Sequence, residues 1–250
     1  MDRKYWVPAL EKADLVLRLI AEQQRKLRLI DLSNRLGINK STMFSLLHTL
    51  EELGWIVKDA ADTYALGSVI GRFGTAYSGG NDVFRAFQRE APGAAAAIGE
   101  TVQLATLAGN EVLYVAKHEV PSPIRLASDP GMKFPAHVTA LGKVLLAGLP
   151  EEQRRALYPS HELEPRLTPY SLTTREALLA EVAEAEAAGC AYDRQEAVVG
   201  FYCVAAPVRS DRGQVVAAVS CSMPAHVWEH KQDTATREIV KLAARMTVYS

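Results

Sequence analysis

Residues 27–58, LRLIDLSNRLGINKSTMFSLLHTLEELGWIVK, decide the fold of the N-terminal part of the chain. Apolar residues recur there at helical spacing on both sides of a glycine that interrupts the pattern. The pattern predicts one helix over Leu29–Leu36 and a second helix that is capped by Asn39 or Ser41 and ends near Leu53. Two short helices joined by such a turn are typical of a helix-turn-helix, whose second helix enters the DNA major groove.

The second helix has two distinct faces, because successive residues rotate by about 100°. One face is apolar and is predicted to be buried: Met43, Leu46, Leu47, Leu50 and Leu53. The opposite face carries side chains that can hydrogen-bond to base edges or contact a thymine methyl group, namely Ser41, Phe44, Ser45 and His48. Three further side chains are placed to contact phosphates: Arg35, Lys40 and Thr42. The alternative is an ordinary helical hairpin with a solvated face.

The residues that follow favour the DNA-binding interpretation. Two short β-prone runs, Trp55–Lys58 and Tyr64–Gly67, are separated by a polar turn. They predict a two-stranded wing directly after the recognition helix, with Trp55 as a core anchor. We therefore expect a winged helix-turn-helix domain over residues 1–67 that binds double-stranded operator DNA.

The charge of this region is low for a DNA-binding domain. Residues 1–80 hold 11 Lys and Arg against 9 Asp and Glu, and the whole chain has a formal net charge of −1. Strong non-specific DNA binding requires a clearly basic surface. We therefore expect the module to bind weakly alone and to gain affinity by pairing two or more copies.

Length and composition limit the remaining possibilities. A chain of 250 residues with 48% hydrophobic residues is long and apolar enough for two domains with real cores. It has no apolar run of about 20 residues that could span a bilayer, and its first ten residues lack the apolar segment of a signal peptide. Its three cysteines are scattered without a C-x-x-C pair, which favours a reducing, cytoplasmic location.

The rest of the chain predicts a linker helix and a mixed domain. Residues 68–80 are predicted to form a linker helix. Its apolar residues share one face, called the apolar stripe, and pack either on a second copy in a dimer or on the wing domain of the same chain: Val69, Ile70, Phe73, Ala76 and Tyr77. Residues 81–250 interleave helices and strands, so the predicted fold class is α+β, with one antiparallel-rich sheet and helices packed on it. The predicted helices cover 82–98, 139–149, 174–188 and 231–248, and the predicted strands cover 102–107, 111–118, 123–128, 204–209 and 215–222.

Four long blocks resemble the IclR family of bacterial transcription regulators. They occur in the family's order and spacing and cover nearly the whole chain: STMFSLLHTLEELGWI (41–56), GMKFPAHVTALGKVLLAGLP (131–150), LTPYSLTTREALLAEVAEAEAAGCAYDRQEAVVGFYCVAAPV (167–208) and VVAAVSCSMPAH (215–226). The resemblance implies a C-terminal GAF-like domain that binds a small organic acid or aromatic effector. It also implies homodimers, and tetramers built as dimers of dimers.

The family's effector site can be placed on this sequence where the motifs match. Ala140 and Leu141 begin a helix whose free N–H groups and dipole can hold a carboxylate. The resemblance implies a further acid, Asp193, a thiol, Cys203, and two hydroxyls that alternate on one strand face, Ser220 and Ser222. A bound ligand would give these hydroxyls their hydrogen-bond partners, although both serines could instead bond to neighbouring backbone. No cofactor is implied.

Two enzyme interpretations compete with the regulator. His226–His230 matches the H-x-x-E-H zinc-peptidase pattern, but Pro224 places it at the start of a helix and at an ordinary position in the family. Cys203 with His137 could form a thiol nucleophile and its base, but no third catalytic group can be identified in the sequence. We therefore expect no catalytic residue and no metal ligand. A third possibility is a constitutive DNA-binding protein with a vestigial pocket.

Overall fold

The computed structural model describes residues 5–79, 82–122, 126 and 128–246. The chain divides into two compact units, Met1–Gly80 and Asn81–Ser250. The first is a helix-turn-helix unit, and the second is an antiparallel sheet covered by helices, so the predicted α+β class is confirmed. Among the described residues, no helix is long and apolar enough to cross a membrane.

After its first helix, the first unit follows the predicted order of elements. It consists of α1 (Pro8–Glu22), α2 (Leu29–Leu36), α3 (Lys40–Glu52), β1 (Ile56–Lys58), β2 (Tyr64–Leu66) and α4 (Ser68–Gly79). The strands β1 and β2 pair antiparallel as a wing. Met43, Leu47 and Leu50 of α3 are buried in one core with residues of α1 and α2. Trp55 is half-buried against that core and meets Phe73 of α4 edge-on.

The prediction that Leu53 is buried is wrong. Leu53 is 52% exposed. It caps the C-terminal end of α3, one residue before Gly54 turns the chain with a φ of +69°, and so lies beyond the core that buries the preceding turns. Periodicity alone cannot show where the packing surface ends.

Within the described residues, the second unit contains one six-stranded sheet, five α-helices and a short 3-10 helix, Ala136–Val138. Its elements are α5 (Asp82–Ile98), β3 (Val102–Ala108), β4 (Glu111–His118), β5 (Lys133–Pro135), α6 (Ala140–Ala147), α7 (Glu151–Leu157), α8 (Arg175–Ala188), β6 (Ala191–Arg194), β7 (Phe201–Arg209), β8 (Val215–Pro224) and α9 (Ala225–Arg245). The strand order is β5-β4-β3-β8-β7-β6, and all pairs are antiparallel. One face packs against α5 and α9, and the other packs against α6 and α8.

Several elements differ from the predicted ones. The edge strands β5 and β6 and the short helix α7 were not predicted, because three to seven residues carry too little periodicity to be recognised. Helix α9 begins at Ala225 rather than near Lys231, with Pro224 at its N-cap. The strand predicted from Pro123 to about Ser128 lies mostly outside the described residues.

Candidate DNA-reading helix and effector cavity

Six of the seven predicted DNA-contacting residues lie on α3, and the seventh, Arg35, lies in the last turn of α2. All are exposed except Thr42, which is half-buried. Phe44 is 63% exposed, although it is a large apolar side chain. Its ring stacks on that of His48, with centroids 6.3 Å apart and an interplanar angle of 13°. Both residues are exposed to solvent in the middle of α3.

The start of α3 is set by two residues before it. Gly37 ends α2 in the left-handed conformation with a φ of +64°, which glycine adopts without strain. Asn39 then caps α3, because its Oδ1 accepts a hydrogen bond from the Thr42 N–H at 2.8 Å. The hydroxyl of Ser41 donates to the same oxygen at 2.9 Å. The predicted N-cap alternatives therefore act together, with Asn39 as the cap.

The hydroxyl hydrogens on the exposed face are already used within the helix. Ser45 Oγ donates to the carbonyl oxygen of Ser41 at 3.2 Å, and Ser41 Oγ donates to Asn39. In this arrangement both serine oxygens can accept hydrogen bonds from base amino groups, and they donate to a base only after rotating.

All six predicted effector residues line one cavity of the second unit. They come from three separate parts of the chain, and the cavity holds about 330 Å³ of empty space, including its open mouth. Six further residues line the cavity and were not predicted: Tyr114, Leu126, Phe134, Thr139, Ala197 and Val198. The alternation of β4 indicates that Tyr114 lies on one face of that strand, but no sequence signal shows which face meets the cavity.

One wall of the cavity is the first turn of α6. Thr139 caps this helix by accepting a hydrogen bond from the Gly142 N–H at 2.9 Å, while Ala140 and Leu141 supply the first helical amides. Gly142 has a packing role as well. A Cβ atom at this position would lie 2.0 Å from the carbonyl oxygen of Ala136, so only glycine allows α6 to approach the preceding turn this closely.

The opposite wall is formed by the sheet. Cys203 of β7 lies directly between Asp193 of β6 and Ser222 of β8, and its Sγ lies 3.1 Å from Ser222 Oγ. Ser220 donates to Gln103 Oε1 of β3 at 3.1 Å. In the described hydrogen bonds both serines are therefore paired with side chains across the sheet, and not with neighbouring backbone.

Asp193 is a buried carboxyl group, only 2% exposed. Its Oδ1 accepts hydrogen bonds from the N–H groups of Glu196 at 2.7 Å and Ala197 at 3.4 Å. Burial, and next the negative charge of Glu196, raise the pKa of Asp193 from 3.8 to about 7. This side chain therefore exchanges its proton near neutral pH, unlike an ordinary aspartate.

The arrangement around Cys203 does not fit a thiol enzyme. Burial, and next the charge of Asp193, raise the pKa of the Cys203 thiol well above its ordinary value, whereas a nucleophilic cysteine requires a lowered one. His137, the base considered from the sequence, has its Nε2 within 3.2 Å of the carbonyl oxygen of Pro165. Burial lowers the pKa of His137.

The H-x-x-E-H segment lies in the first turns of α9. His226, Glu229 and His230 are all exposed to solvent. Within the described parts of the chain, no group of three or more His, Cys, Asp or Glu side chains is arranged to hold a metal ion. A zinc-peptidase site requires two histidines and a third protein ligand around the metal.

The winged helix-turn-helix and a separate α+β unit that encloses a cavity define a class of DNA-binding regulator. The chain belongs to the IclR family of bacterial transcription regulators. The family model described as the IclR helix-turn-helix domain matches residues 9–60, and that described as the bacterial transcriptional regulator IclR C-terminal domain matches residues 75–248. The predicted family is therefore confirmed, and with it a role in DNA-binding transcription regulation.

Similar proteins span nearly the whole chain. The HTH-type transcriptional regulator XynR of Escherichia coli K12 is 34% identical over 217 residues, which are 86% of this chain and 86% of that protein. The crystal structure of a transcriptional regulator from Rhodococcus sp. RHA1 has a TM-score of 0.80 and 27% identity, and covers 96% of this chain and 97% of its own. An IclR homologue from Microbacterium hydrocarbonoxydans, solved in complex with 4-hydroxybenzoate, has a TM-score of 0.76 at 22% identity, covering 95% of this chain and 97% of its own. That likeness shows the fold alone.

Proposed function

We propose that this regulator binds operator DNA through α3 and that a small organic acid or aromatic catabolite in the cavity modulates this binding. The observation that carries the proposal is the convergence of all six candidate residues on one cavity, although they lie in three distant segments of the sequence. A pocket lined by apolar side chains and a few convergent polar groups is typical of a ligand site.

The cavity favours a ligand with a carboxylate and a short apolar body. The first-turn N–H groups of α6 and the positive end of the helix dipole are suited to a carboxylate. Apolar side chains provide most of the remaining surface, and the rings of Tyr114 and Phe134 meet edge-on in the cavity wall, with centroids 6.0 Å apart. The complex named for the Microbacterium relative makes 4-hydroxybenzoate a sensible first probe.

The side chains of α3 and its neighbourhood have two functions in DNA binding. Base edges are read by Ser41, Phe44, Ser45 and His48. Phosphates are contacted by Arg35, Lys40 and Thr42. The phosphate contacts fix the orientation of the helix without reading sequence.

The proposed DNA-binding form is a homodimer, with dimers of dimers as its higher assembly. The apolar stripe of α4 supports the pairing, because Phe73 and Tyr77 are each 57% exposed in the single chain. Exposed aromatic side chains spaced four residues apart on one helix form a surface that a second copy can cover. The effector then acts by binding with different affinity to two arrangements of the paired units.

The first test is to find the operator and then the effector. The full-length protein selects bound fragments from genomic DNA of its source, and a panel of small carboxylic acids that includes acetate and 4-hydroxybenzoate is screened for a raised melting temperature. We expect at least one acid to raise the melting temperature and to change operator affinity. If acids bind without changing operator affinity, or none binds, the protein is a constitutive DNA-binding protein and the proposed modulation is wrong.

The second test removes two hydroxyls from the cavity. We expect the double substitution Ser220→Ala and Ser222→Ala to raise the acid concentration needed for a half-maximal response by roughly tenfold, because two hydrogen bonds are worth about 1 kcal/mol each or less. Operator affinity without ligand should stay unchanged. The matched control is Cys221→Ala, because Cys221 lies between the two serines but is buried on the opposite face of the sheet. A double variant that responds at the wild-type concentration would refute the cavity assignment.

A further inference from the structure

A cluster of charged side chains lies behind the wall of the cavity. Lys143 of α6 is fully buried, and its Nζ lies 2.7 Å from Glu196 Oε1, 3.1 Å from Glu181 Oε2 and 2.9 Å from the carbonyl oxygen of Tyr192. Asp193 follows Tyr192 directly and turns its side chain into the cavity. The helix that offers amides to an effector thus also carries the cation of the cluster.

Without Asp193 the charges of the cluster balance, because Lys143 and Arg194 face Glu181 and Glu196. Lys143 offsets the charge of Glu196, which is 4% exposed, and Glu181 is shared with Arg194 at 3.8 Å. The second oxygen of Glu196, Oε2, is buried and has no hydrogen-bond partner among the described residues. An ionised Asp193 would therefore add an uncompensated negative charge beside the cavity, and an effector carboxylate would add another. Two carboxylates in one buried site favour a shared proton.

We propose that Asp193 binds the effector as a neutral acid, donating its proton in a hydrogen bond to the effector carboxylate, so that binding takes up one proton from solution. This inference rests on the proposed function, since it assumes that a carboxylic acid occupies the cavity. Where Asp193 is ionised in the free protein, a proton from solution joins it on binding and returns to solution when the effector departs, and no covalent bond is formed or broken.

The surroundings of Asp193 make this proton available near neutral pH. Burial and the charge of Glu196 raise its pKa to about 7, while the backbone N–H groups of Glu196 and Ala197, and next Lys143, act in the opposite direction. Burial raises the pKa of both Tyr114 and Cys203, which also line the cavity, so these two groups stay neutral over the same range. The lowered pKa of His137, in the turn before α6, keeps that ring neutral above pH 7.

The inference predicts how affinity depends on pH. Below the pKa of Asp193 the carboxyl group already carries the proton, so the dissociation constant of the acid should not change with pH. Above it each binding event must take up a proton, so the dissociation constant should rise towards tenfold per pH unit. An asparagine at this position can donate through its amide without any proton uptake, so Asp193→Asn should bind the acid with an affinity that is independent of pH.

The experiment is titration calorimetry of the full-length dimeric or tetrameric protein with each acid that raises its melting temperature. Titrations from pH 6.5 to 8.5, in buffers with different ionisation enthalpies, count the protons taken up per acid bound. We expect nearly one proton at pH 8 for the wild type and none for Asp193→Asn. The control is Asp233→Asn, which removes an exposed carboxylate on α9 and should behave as the wild type.

The outcomes separate this inference from the proposed function. An acid that binds and changes operator affinity with no proton uptake at pH 8 would overturn the inference and leave the function intact. If no acid binds, the function fails and the inference fails with it. A direct measurement adds a second test, because carbon-13 shifts of the Asp193 carboxyl in the acid-saturated protein should show the neutral form at pH 7.5. A carboxylate signal there would also overturn it.

Discussion

Asp193 is the residue at which packing and chemistry conflict most strongly. It is buried among β6, β7 and the first turn of α6, where an ionised carboxylate loses most of its hydration. Two backbone N–H groups compensate in part, but the neighbouring Glu196 works against them. Because ionisation of this side chain lowers the stability of the fold, we expect Asp193 to have a role in binding rather than in folding.

The first prediction concerns the stability of Asp193→Asn. The pKa of Asp193 is raised from 3.8 to about 7 on folding, so the folded protein holds the extra proton between these values. The free energy of unfolding contributed by this group is therefore highest below about pH 4, falls as pH rises to about 7, and is constant above that. We expect the asparagine variant to be more stable than the wild type at pH 8, by roughly 1 to 4 kcal/mol, with the difference shrinking towards pH 5. Urea denaturation at pH 5 and pH 8 measures the difference in the free energy of unfolding. An equal difference at the two pH values would contradict the prediction.

At the scale of the element, the three helices that carry or support the sites each begin at a side-chain cap. Asn39, Thr139 and Thr174 accept hydrogen bonds from the third residue of α3, α6 and α8, respectively. A cap fixes the first turn, and in α3 and α6 the first turn carries candidate binding residues. The same local interaction that starts the helix therefore also positions the site.

The second prediction tests the cap of α3. Asn39→Ala removes the acceptor for the Thr42 N–H and should destabilise the first turn by about 1 kcal/mol. Hydrogen exchange of peptides covering 40–52 should then be about fivefold faster, and operator affinity should fall because Lys40 and Ser41 lose their fixed positions. Asn39→Asp keeps a capping oxygen and serves as the control. Equal exchange in both variants would show that this cap does not hold the helix.

At the scale of the whole molecule, the low positive charge and the exposed apolar surface both favour the proposed pairing of copies. The DNA-binding unit has few excess positive charges, so one copy has little non-specific affinity for DNA. The stripe on α4 exposes aromatic side chains that a single chain leaves uncovered. Pairing of copies would cover this stripe and double the number of phosphate contacts.

The third prediction tests pairing through α4. Tyr77→Glu places a charge on the stripe and should shift the protein towards monomers in sedimentation velocity, with operator affinity reduced by roughly tenfold or more. Tyr170→Glu is the matched control, because Tyr170 is 55% exposed and Tyr77 is 57% exposed, but Tyr170 lies on a loop of the second unit. An unchanged oligomeric state in Tyr77→Glu would rule out α4 as the pairing surface.

Local signals in the sequence were sufficient for much of the fold. The predicted bounds of α2 and α5 match the structure, because periodicity and end signals lie within the helices themselves. The edge strands β5 and β6 were missed because each is defined by pairing with a neighbouring strand rather than by its own few residues. The six cavity residues were found through the family resemblance together with the alternation of a strand.

The importance of Lys143 could not be predicted. It is the single charged residue of ALGKVLLA, an otherwise apolar helix, and its ion-pair partners lie 38 and 53 residues away in sequence. The apolar composition indicates a buried helix, but no short-range pattern identifies the partners of the lysine.

The sequence by itself determined the bounds of α2 and α5, which face of α3 carries polar and aromatic groups, and to which family the chain belongs. These properties depend on caps, turns and periodicity, which act between residues a few positions apart. Only the tertiary structure decided that Leu53, Phe73 and Tyr77 are exposed, that Lys143 is paired, and that Asp193 holds its proton near neutral pH. Burial and electric field depend on groups that are distant along the chain and meet only when the sheet and its helices are assembled.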